Sequence, residues 1–289
     1  MNFIKKIFSP ITATLRYIQN HFKAMIFVLI LFLIFAPNSE EDLTPTNLVQ
    51  INLIGPVMDV TEVLEKIDNA GDNINVKGVL ININSPGGAV SPSVELAYAI
   101  KRLKAKKPVV VYASGTIASG SYYASIWANE IMANPGSMVG SIGVIMQGTD
   151  LSGIMSKIGI KTQSVQAGKY KQVGTGDRAW KNYEVNELNK VIQGTYDMFT
   201  KDVSDARELD YKKRDVYANA HIFTAAQAKE VGLIDSLGVM YDAKQKVAQL
   251  SGVLEPRWNK EDRFDKFMKK LSATTAVTLH TYFPSIVLK

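Results

Sequence analysis

The chain contains no cysteine and only three histidines among its 289 residues. Without cysteine there is neither a thiolate nucleophile nor a Cys-based zinc site. The H-E-x-x-H pattern of zinc-dependent proteases and the G-x-x-x-x-G-K-[ST] phosphate loop are also missing from the sequence. These absences exclude a thiol enzyme and leave the common metal and nucleotide motifs without a candidate.

The three histidines give little support to a Ser-His-Asp triad. His21 lies in the N-terminal leader, and neither His221 nor His280 belongs to a recognisable site motif. No G-x-S-x-G elbow surrounds Ser119, because position 117 is Ile where that pattern needs Gly. If the chain is an enzyme with a serine nucleophile, a lysine base is therefore the economical choice.

Three short motifs supply the groups that acyl transfer needs. Residues 118–123 offer a serine at the start of a predicted helix, residues 84–88 a glycine turn, and residues 168–171 two lysines. A nucleophile, backbone N–H groups for an oxyanion and a base are the requirements of that reaction. Each motif also has an ordinary explanation. Ser119 could cap a helix, the glycine segment could be a plain turn, and Lys171 could be a surface lysine.

The lysine hypothesis makes a physical demand on the fold. A lysine acts as a base only when neutral, and its pKa in water is about 10.4, so burial or neighbouring positive groups must lower it. Lys171 follows a strand-like segment at 160–167 and precedes Val173 and Gly174, as a base held at a loop edge would. Lys169 is its close competitor.

The N-terminus predicts a membrane anchor. A basic segment over 1–23 precedes an unbroken apolar run at 24–36, and acidic residues follow within a predicted linker at 37–47. By the positive-inside rule, residues 1–23 stay in the cytoplasm. We therefore predict a single-pass protein of the bacterial cytoplasmic membrane, with its main domain on the periplasmic side.

Two alternatives to the anchor stay open, because the apolar run is shorter than the roughly 20 residues that usually span a bilayer. A cleaved signal peptide is one, although the charged leader is long and no convincing A-x-A site follows the run. A buried core helix is the other, although the run has no polar face.

Beyond the linker, hydrophobic patterning predicts repeated strand–turn–helix units. Such a succession indicates a right-handed α/β spiral with parallel strands, in which ligands bind at the carboxyl ends of the strands. The glycine-containing motifs at 84–88 and 118–123 both fall at such ends and should lie close together. A basic amphipathic tail follows over 257–289. The predicted strands cover 49–53, 78–84, 108–113, a short segment near 131 and 143–145, and the helices cover 61–70, 93–105, 119–129, 181–209 and 223–235.

Four ordered motifs between residues 48 and 240 resemble the S49 serine peptidases, the signal peptide peptidase A family, in its short single-copy form. The resemblance implies a peptidase domain over 48–256 whose fold is similar to Clp protease and the crotonases. The four motifs are Asn84-Ser85-Pro86-Gly87-Gly88, Ala118-Ser119-Gly120-Ser121-Tyr122-Tyr123, Gly140-Ser141-Ile142-Gly143-Val144 and Gly168-Lys169-Tyr170-Lys171.

The resemblance also implies a role for each site residue. Ser119 would be the nucleophile and Lys171 the general base, with Ser141 orienting the lysine amine by a hydrogen bond. Backbone N–H groups of Gly87 and Gly120 would form the oxyanion hole. No metal and no other cofactor would be needed.

The implied activity is that of a membrane-anchored serine endopeptidase that degrades hydrophobic remnant signal peptides through an acyl-enzyme. We expect peptide substrates, lipid contact through the N-terminal helix, a ring-like homo-oligomer and no nucleic-acid partner. The sequence departs from the family pattern at Ser121, usually a second glycine, and at Gln172, usually acidic. A crotonase-like acyl-CoA enzyme and a catalytically silent membrane scaffold are the alternatives.

Overall fold

The computed structural model describes residues 17–30 and 45–259. The first range forms helix α1 (residues 17–30), which carries the amino-terminal part of the predicted anchor. Within the two described ranges, no helix combines the length and the apolar character that crossing a bilayer requires. The rest of the predicted anchor, most of the linker and nearly all of the tail lie outside the described residues, so these remain predictions.

Residues Thr46–Trp258 form a compact mixed α/β unit around a seven-stranded sheet. The strand order is β1-β2-β3-β4-β7, and these neighbours are parallel. Strand β5 pairs in parallel with β3 and antiparallel with β6. The strands are β1 (Leu48–Ile54), β2 (Gly78–Ser85), β3 (Val109–Ala118), β4 (Glu130–Ala133), β5 (Met138–Gly140), β6 (Ile222–Thr224) and β7 (Ser236–Leu237).

Helices connect most of these strands, as parallel pairing requires. A short 3₁₀ turn over Tyr211–Lys213 precedes α7. The helices are α2 (Thr61–Asp72), α3 (Val90–Lys106), α4 (Gly120–Ser125), α5 (Ser152–Lys157), α6 (Asn182–Arg207), α7 (Arg214–Tyr217), α8 (Ala225–Glu230) and α9 (Met240–Leu250).

The central strands are buried on both faces. Successive side chains point to opposite sides of a sheet, so Ile81 and Val111 join the larger core while Leu80 and Val110 pack with Val247 of α9 on the other face. The strands of a parallel sheet that is covered on both sides have nearly continuous apolar sequences. This is why the patterns of β2 and β3 were recognisable in the sequence.

Three strands end side by side and so bring the predicted motifs together. In the pairing register, Ser85 at the end of β2 lies opposite Ile117, and Ala118 at the end of β3 lies opposite Gly140. The glycine turn after β2, the start of α4 and the residue after β5 therefore meet at the carboxyl edge of the sheet. This confirms the expected proximity of the two glycine motifs.

Some predicted elements are wrong in place or length. The segment 143–145 is not a strand, and the side chain of Ile145 is 76% exposed. Instead β5 forms upstream, where no strand was predicted, because β3 continues to Ala118 and offers it a pairing edge. The segment 160–167 is likewise irregular. Helices α4 and α8 are shorter than the predicted helices over 119–129 and 223–235.

A buried tyrosine ties α4 to the chain before β7. The Tyr122 side chain is fully buried, and its hydroxyl donates to the Leu233 carbonyl at 2.8 Å. Burial raises the pKa of the Tyr122 phenol, so it remains a donor. Arg207 of α6 holds the same segment through Asp235, with N–O distances of 2.7 and 3.1 Å.

We expect Tyr122→Phe to lower the free energy of unfolding by about 1–3 kcal/mol, because it removes the donor from a buried carbonyl. Thermal unfolding would show this as a fall in Tm of about 2–4 °C per kcal/mol for a domain of this size. The matched control is Tyr241→Phe, since the Tyr241 side chain is 69% exposed. Equal Tm values for both variants would contradict the buried hydrogen bond.

Candidate active site

Ser119 lies at the junction of β3 and α4 in a strained backbone conformation. Its φ is 52° and its ψ −124°, a region that residues other than glycine rarely adopt. The Ser119 N–H donates to the Gly140 carbonyl at 2.8 Å, and the Ser119 carbonyl accepts from Tyr123 N–H at 2.9 Å. These bonds hold the strain, which resembles that of nucleophilic serines at strand-to-helix turns.

The Ser119 hydroxyl does not act as a helix cap. Although Ser119 occupies the N-cap position of α4, its side chain makes no capping hydrogen bond. The side chain is half-buried, and within the described ranges its hydroxyl has no hydrogen-bond partner. Helix capping, the ordinary explanation for a serine at this position, therefore does not account for Ser119, and its oxygen is available for reaction.

The glycine turn packs directly against this serine. Gly87 has a φ of 92°, and a Cβ added there would lie 2.6 Å from Gly120 N and 2.8 Å from Ser119 Cβ. A Cβ on Gly88 would lie 2.1 Å from the Val57 carbonyl oxygen. Neither position can hold a side chain without displacing backbone, so both glycines are required by the close approach.

The backbone N–H groups of the turn are not equivalent. Gly87 is buried, and its N–H donates to Ser85 Oγ at 3.2 Å. Gly88 is exposed, and across the described chain neither its N–H nor that of Gly120 has an acceptor. The Gly88 nitrogen lies 3.3 Å from the position that a Cβ on Gly120 would occupy. Two free N–H groups therefore stand beside Ser119.

Gly88 is a candidate oxyanion donor that the sequence reasoning missed. Its N–H is free because the flanking groups make the bridge to the preceding loop: Val57 N–H donates to the Gly87 carbonyl at 2.9 Å, and Ala89 N–H to the Val57 carbonyl at 2.8 Å. The paired glycines were a signal for this turn. The contacts of Ser85 and Val57 determine which N–H group of the turn stays free, and a motif alone does not reveal those contacts.

Ser141 is brought beside Ser119 by β5. The preceding carbonyl, that of Gly140, accepts the Ser119 N–H, and Ser141 N–H donates to the His221 carbonyl at 2.7 Å. Ser141 has a positive φ of 50° and is half-buried. His221 thus contributes a backbone carbonyl here, and its exposed side chain takes no part in these bonds.

The structure does not join Lys171 to Ser119 within one chain. Lys171 N–H donates to the Gly168 carbonyl at 3.3 Å in a turn, and the side chain is exposed. Its ammonium has no hydrogen bond or ion pair within residues 17–30 and 45–259. Lys169, by contrast, places its ammonium 4.8 Å from the centre of the Tyr183 ring. That cation–π contact gives Lys169 a structural role.

A small cavity opens next to Ser119, between α3, α4 and α6. The volume of this cavity is about 40 Å³, and its walls are mainly apolar. The Tyr123 and Phe199 rings meet edge to face at one wall, with centroids 5.0 Å apart, and the Tyr123 hydroxyl donates to Asp202. The lining residues are Gly88, Val90, Ser93, Val94, Ser119, Gly120, Tyr123, Met198 and Phe199.

Comparison with known proteins identifies the family of this arrangement. The profile of peptidase family S49 matches residues 101–254, which is more than half of the chain. The chain belongs to peptidase family S49. The family resemblance predicted from the motifs is thereby confirmed, and with it the assignment to the serine proteases. The matched S49 range contains Ser119, Ser141 and Lys171.

Individual relatives of this S49 chain carry related names. A protein of Methanocaldococcus jannaschii named as a protease is 42% identical over 190 residues, covering 66% of this chain and 61% of the relative. One of Enterococcus faecium named as a signal peptide peptidase is 29% identical over 219 residues, covering 71% and 63%. The chain thus spans about three fifths of the length of these relatives.

The fold also has a structural neighbour among the Clp proteases. A ClpP1 mutant from Listeria monocytogenes aligns with a TM-score of 0.45 and 16% sequence identity, covering 67% of this chain and 93% of that chain. The order of strands and helices itself shows the mixed α/β fold expected for the S49 domain.

A buried ion pair anchors the end of the S49 loop that carries Lys171. The Glu184 carboxylate, fully buried near the start of α6, accepts two bonds from the Arg178 guanidinium at 2.7 and 2.8 Å. It also accepts the Lys181 N–H at 2.8 Å. The Arg178 bonds, then the backbone bond, lower the pKa of Glu184 to about 2.

We expect Glu184→Gln to destabilise the S49 domain at neutral pH by an amount that shrinks on acidification. Because the folded-state pKa of Glu184 is depressed, its contribution is complete above the ordinary glutamate pKa of about 4.3. It is lost as pH falls from there to about 2. Urea unfolding of wild type and variant across pH 7 to 2.5 measures this difference.

The control for this experiment is Glu187→Gln, since Glu187 makes a more exposed pair with Lys190 on the same helix. That variant should change the urea midpoint little at any pH, as is usual for surface ion pairs. A stability difference between wild type and Glu184→Gln that stays constant down to pH 2.5 would contradict the assignment.

Proposed function

We propose that this S49 chain is a serine endopeptidase in which Ser119 attacks the peptide carbonyl. One observation carries the proposal. Ser119 has a strained backbone and a hydroxyl that makes no capping hydrogen bond, and it lies beside the free N–H groups of Gly88 and Gly120. A serine held in this way with two N–H donors at its side has the geometry for stabilising a tetrahedral oxyanion.

The oxyanion hole is proposed to consist of the Gly120 N–H together with a donor from the glycine turn. Gly87 was expected for that second donor from the family resemblance, but its N–H is engaged by Ser85 Oγ. Gly88, whose N–H is free, is the better-supported member. Losing one such donor typically costs 10²–10³-fold in kcat.

Lys171 is proposed as the general base, with Ser141 orienting its amine. The position of Ser141 next to the Gly140–Ser119 hydrogen bond supports the second role. A lysine base must be neutral and shielded from water, yet Lys171 is exposed in the single chain. The proposal therefore requires a second copy of the chain to cover the loop that carries Lys171.

The segment preceding that loop supports a homo-oligomer. Several of its large apolar side chains are exposed in the single chain, and exposed apolar surface is what a protein–protein contact would bury. Burying them in an assembly would also remove water from the loop. The exposed side chains are Ile145 (76%), Met146 (46%), Leu151 (45%), Ile154 (62%), Ile158 (64%), Ile160 (53%) and Val165 (105%).

The proposed reaction needs no cofactor to balance. Lys171 Nζ takes the proton of Ser119 Oγ as the oxygen bonds to the carbonyl carbon, and the oxyanion forms against the two N–H groups. The lysine then returns the proton to the departing amine as the C–N bond breaks. Lys171 Nζ then deprotonates a water molecule, which attacks the acyl-enzyme. The lysine returns this proton to Ser119 Oγ as the acyl group leaves, and Ser119 is restored.

Hydrophobic peptides are the proposed substrates. The apolar cavity beside Ser119 suits a small apolar side chain of the residue whose carbonyl is attacked. A relative is named as a signal peptide peptidase, which favours remnant signal peptides among such substrates. The charges flanking residues 24–36 support a lipid anchor, with the peptidase domain on the extracytoplasmic side.

We expect full-length Ser119→Ala and Lys171→Ala in detergent to lose at least about 10³-fold in kcat, as loss of a nucleophile or its base does in serine proteases. The substrate is a fluorogenic apolar peptide with alanine before the scissile bond. Wild-type activity should rise toward alkaline pH, because the reaction needs a neutral amine. Lys169→Ala is the matched control and should keep kcat within about threefold, because surface cation–π contacts are weak.

Cleavage by Ser119→Ala at the wild-type rate would contradict the proposal. Loss of activity in Lys169→Ala with retention in Lys171→Ala would instead assign the base to Lys169. Absence of cleavage by the folded wild type, on apolar and polar peptides alike, would favour the silent scaffold.

A further inference from the structure

A second serine of α4, Ser121, contacts both sides of the proposed oxyanion site without taking part in the reaction above. Ser121 is fully buried. Its Oγ accepts the Ala118 N–H at 2.9 Å and lies 2.8 Å from the Ser85 carbonyl oxygen and 2.9 Å from that of Ala118. One hydroxyl therefore links the end of β2 to the end of β3.

This link lies beside an irregularity in the pairing of the two strands. The regular pairing of β2 with β3 is interrupted between Ile83 and Ser85. Backbone pairing resumes with Ser85 opposite Ile117, and side chains add two contacts at the irregularity: Asn84 Oδ1 accepts the Thr116 N–H at 3.0 Å, and Ser121 reaches the Ser85 carbonyl. The bond from Ser121 is the buried member of this pair.

Ser85 is connected to the proposed oxyanion donors in turn. Its hydroxyl accepts the Gly87 N–H at 3.2 Å, which orients the Pro86–Gly87 peptide, one peptide before the Gly88 N–H. Gly87 packs so tightly against Gly120 that an added Cβ would be 2.6 Å from the Gly120 nitrogen. A shift of the Ser85 carbonyl would therefore move the turn relative to the helix start, and with it the distance between the two free N–H groups.

We propose that Ser121 is a positioning residue for the oxyanion hole, acting through the Ser85 and Ala118 peptides. The inference rests on the proposed function, since it concerns donors for the reaction of Ser119. The family resemblance places glycine at this position, and a glycine has no hydroxyl to make these bonds. The link therefore depends on a residue at which this chain departs from the family pattern.

The alternative is that Ser121 only satisfies buried polar groups and so stabilises the fold. Ser125 provides a matched control for that reading. It is fully buried in the same helix, and its hydroxyl donates to the Ser121 carbonyl at 2.7 Å without touching the glycine turn. Replacing either serine by alanine removes one buried hydroxyl from α4, but only Ser121→Ala releases Ser85.

The experiment compares full-length wild type, Ser121→Ala and Ser125→Ala after titrating the reactive sites with a fluorophosphonate. For each titrated site, Ser121→Ala should lower kcat about 10- to 100-fold, somewhat less than the loss of a whole donor. KM and the pH profile should change little, because neither the substrate cavity nor the base is altered. Ser125→Ala should lower Tm without lowering kcat per site. Ser121→Gly provides the same test if Ser121→Ala folds poorly.

Wild-type kcat per titrated site in Ser121→Ala or Ser121→Gly would overturn the positioning role while leaving the Ser119 mechanism intact. An equal loss of kcat in Ser125→Ala would also overturn it, because the effect would then belong to the helix as a whole. A folded wild type that neither cleaves nor reacts at Ser119 would instead refute the proposed function, and this inference with it.

Discussion

The close approach of two glycine-bearing segments is the constraint on which the rest of the site depends. The turn after β2 and the first residue of α4 pack without room for side chains: a Cβ on Gly120 would lie 2.1 Å from Ser93 Oγ, and one on Gly87 would lie 2.6 Å from Gly120 N. Because the parallel strands β2 and β3 end together, the sheet fixes this approach. The strained Ser119 and the two free N–H groups lie at this approach.

The single chain builds the Ser119 side of the proposed site but leaves the Lys171 side open to solvent. Ser119 is held by the Gly140 carbonyl and by α4, whereas Lys171 lies exposed in a loop that is anchored mainly at its far end, through Arg178 and Glu184. Several large apolar side chains of the segment before that loop are also exposed. The proposed homo-oligomer would complete the site by excluding water from the lysine, which is what a lysine base requires.

Local patterns were enough to predict the strands β1 to β3 and the meeting of the glycine motifs, because buried parallel strands have continuous apolar sequences. They did not predict β5, whose three residues are extended only because β3 offers them an edge. The family resemblance implied Gly87 as the donor, because the capture of its N–H by Ser85 is a tertiary contact that no motif shows. The surroundings of Lys171 depend on loop packing, and no short motif encodes them.

The measurement that tests the central claim most directly is the location of the adduct formed by a fluorophosphonate on the full-length wild-type protein. Digestion and mass spectrometry would identify the modified residue. The account predicts one adduct per chain, on the peptide that contains Ser119, because that serine has a strained backbone, a hydroxyl that makes no capping hydrogen bond and two free N–H donors beside it. An adduct on Ser93, Ser141 or another residue of a protein that cleaves peptides would contradict it.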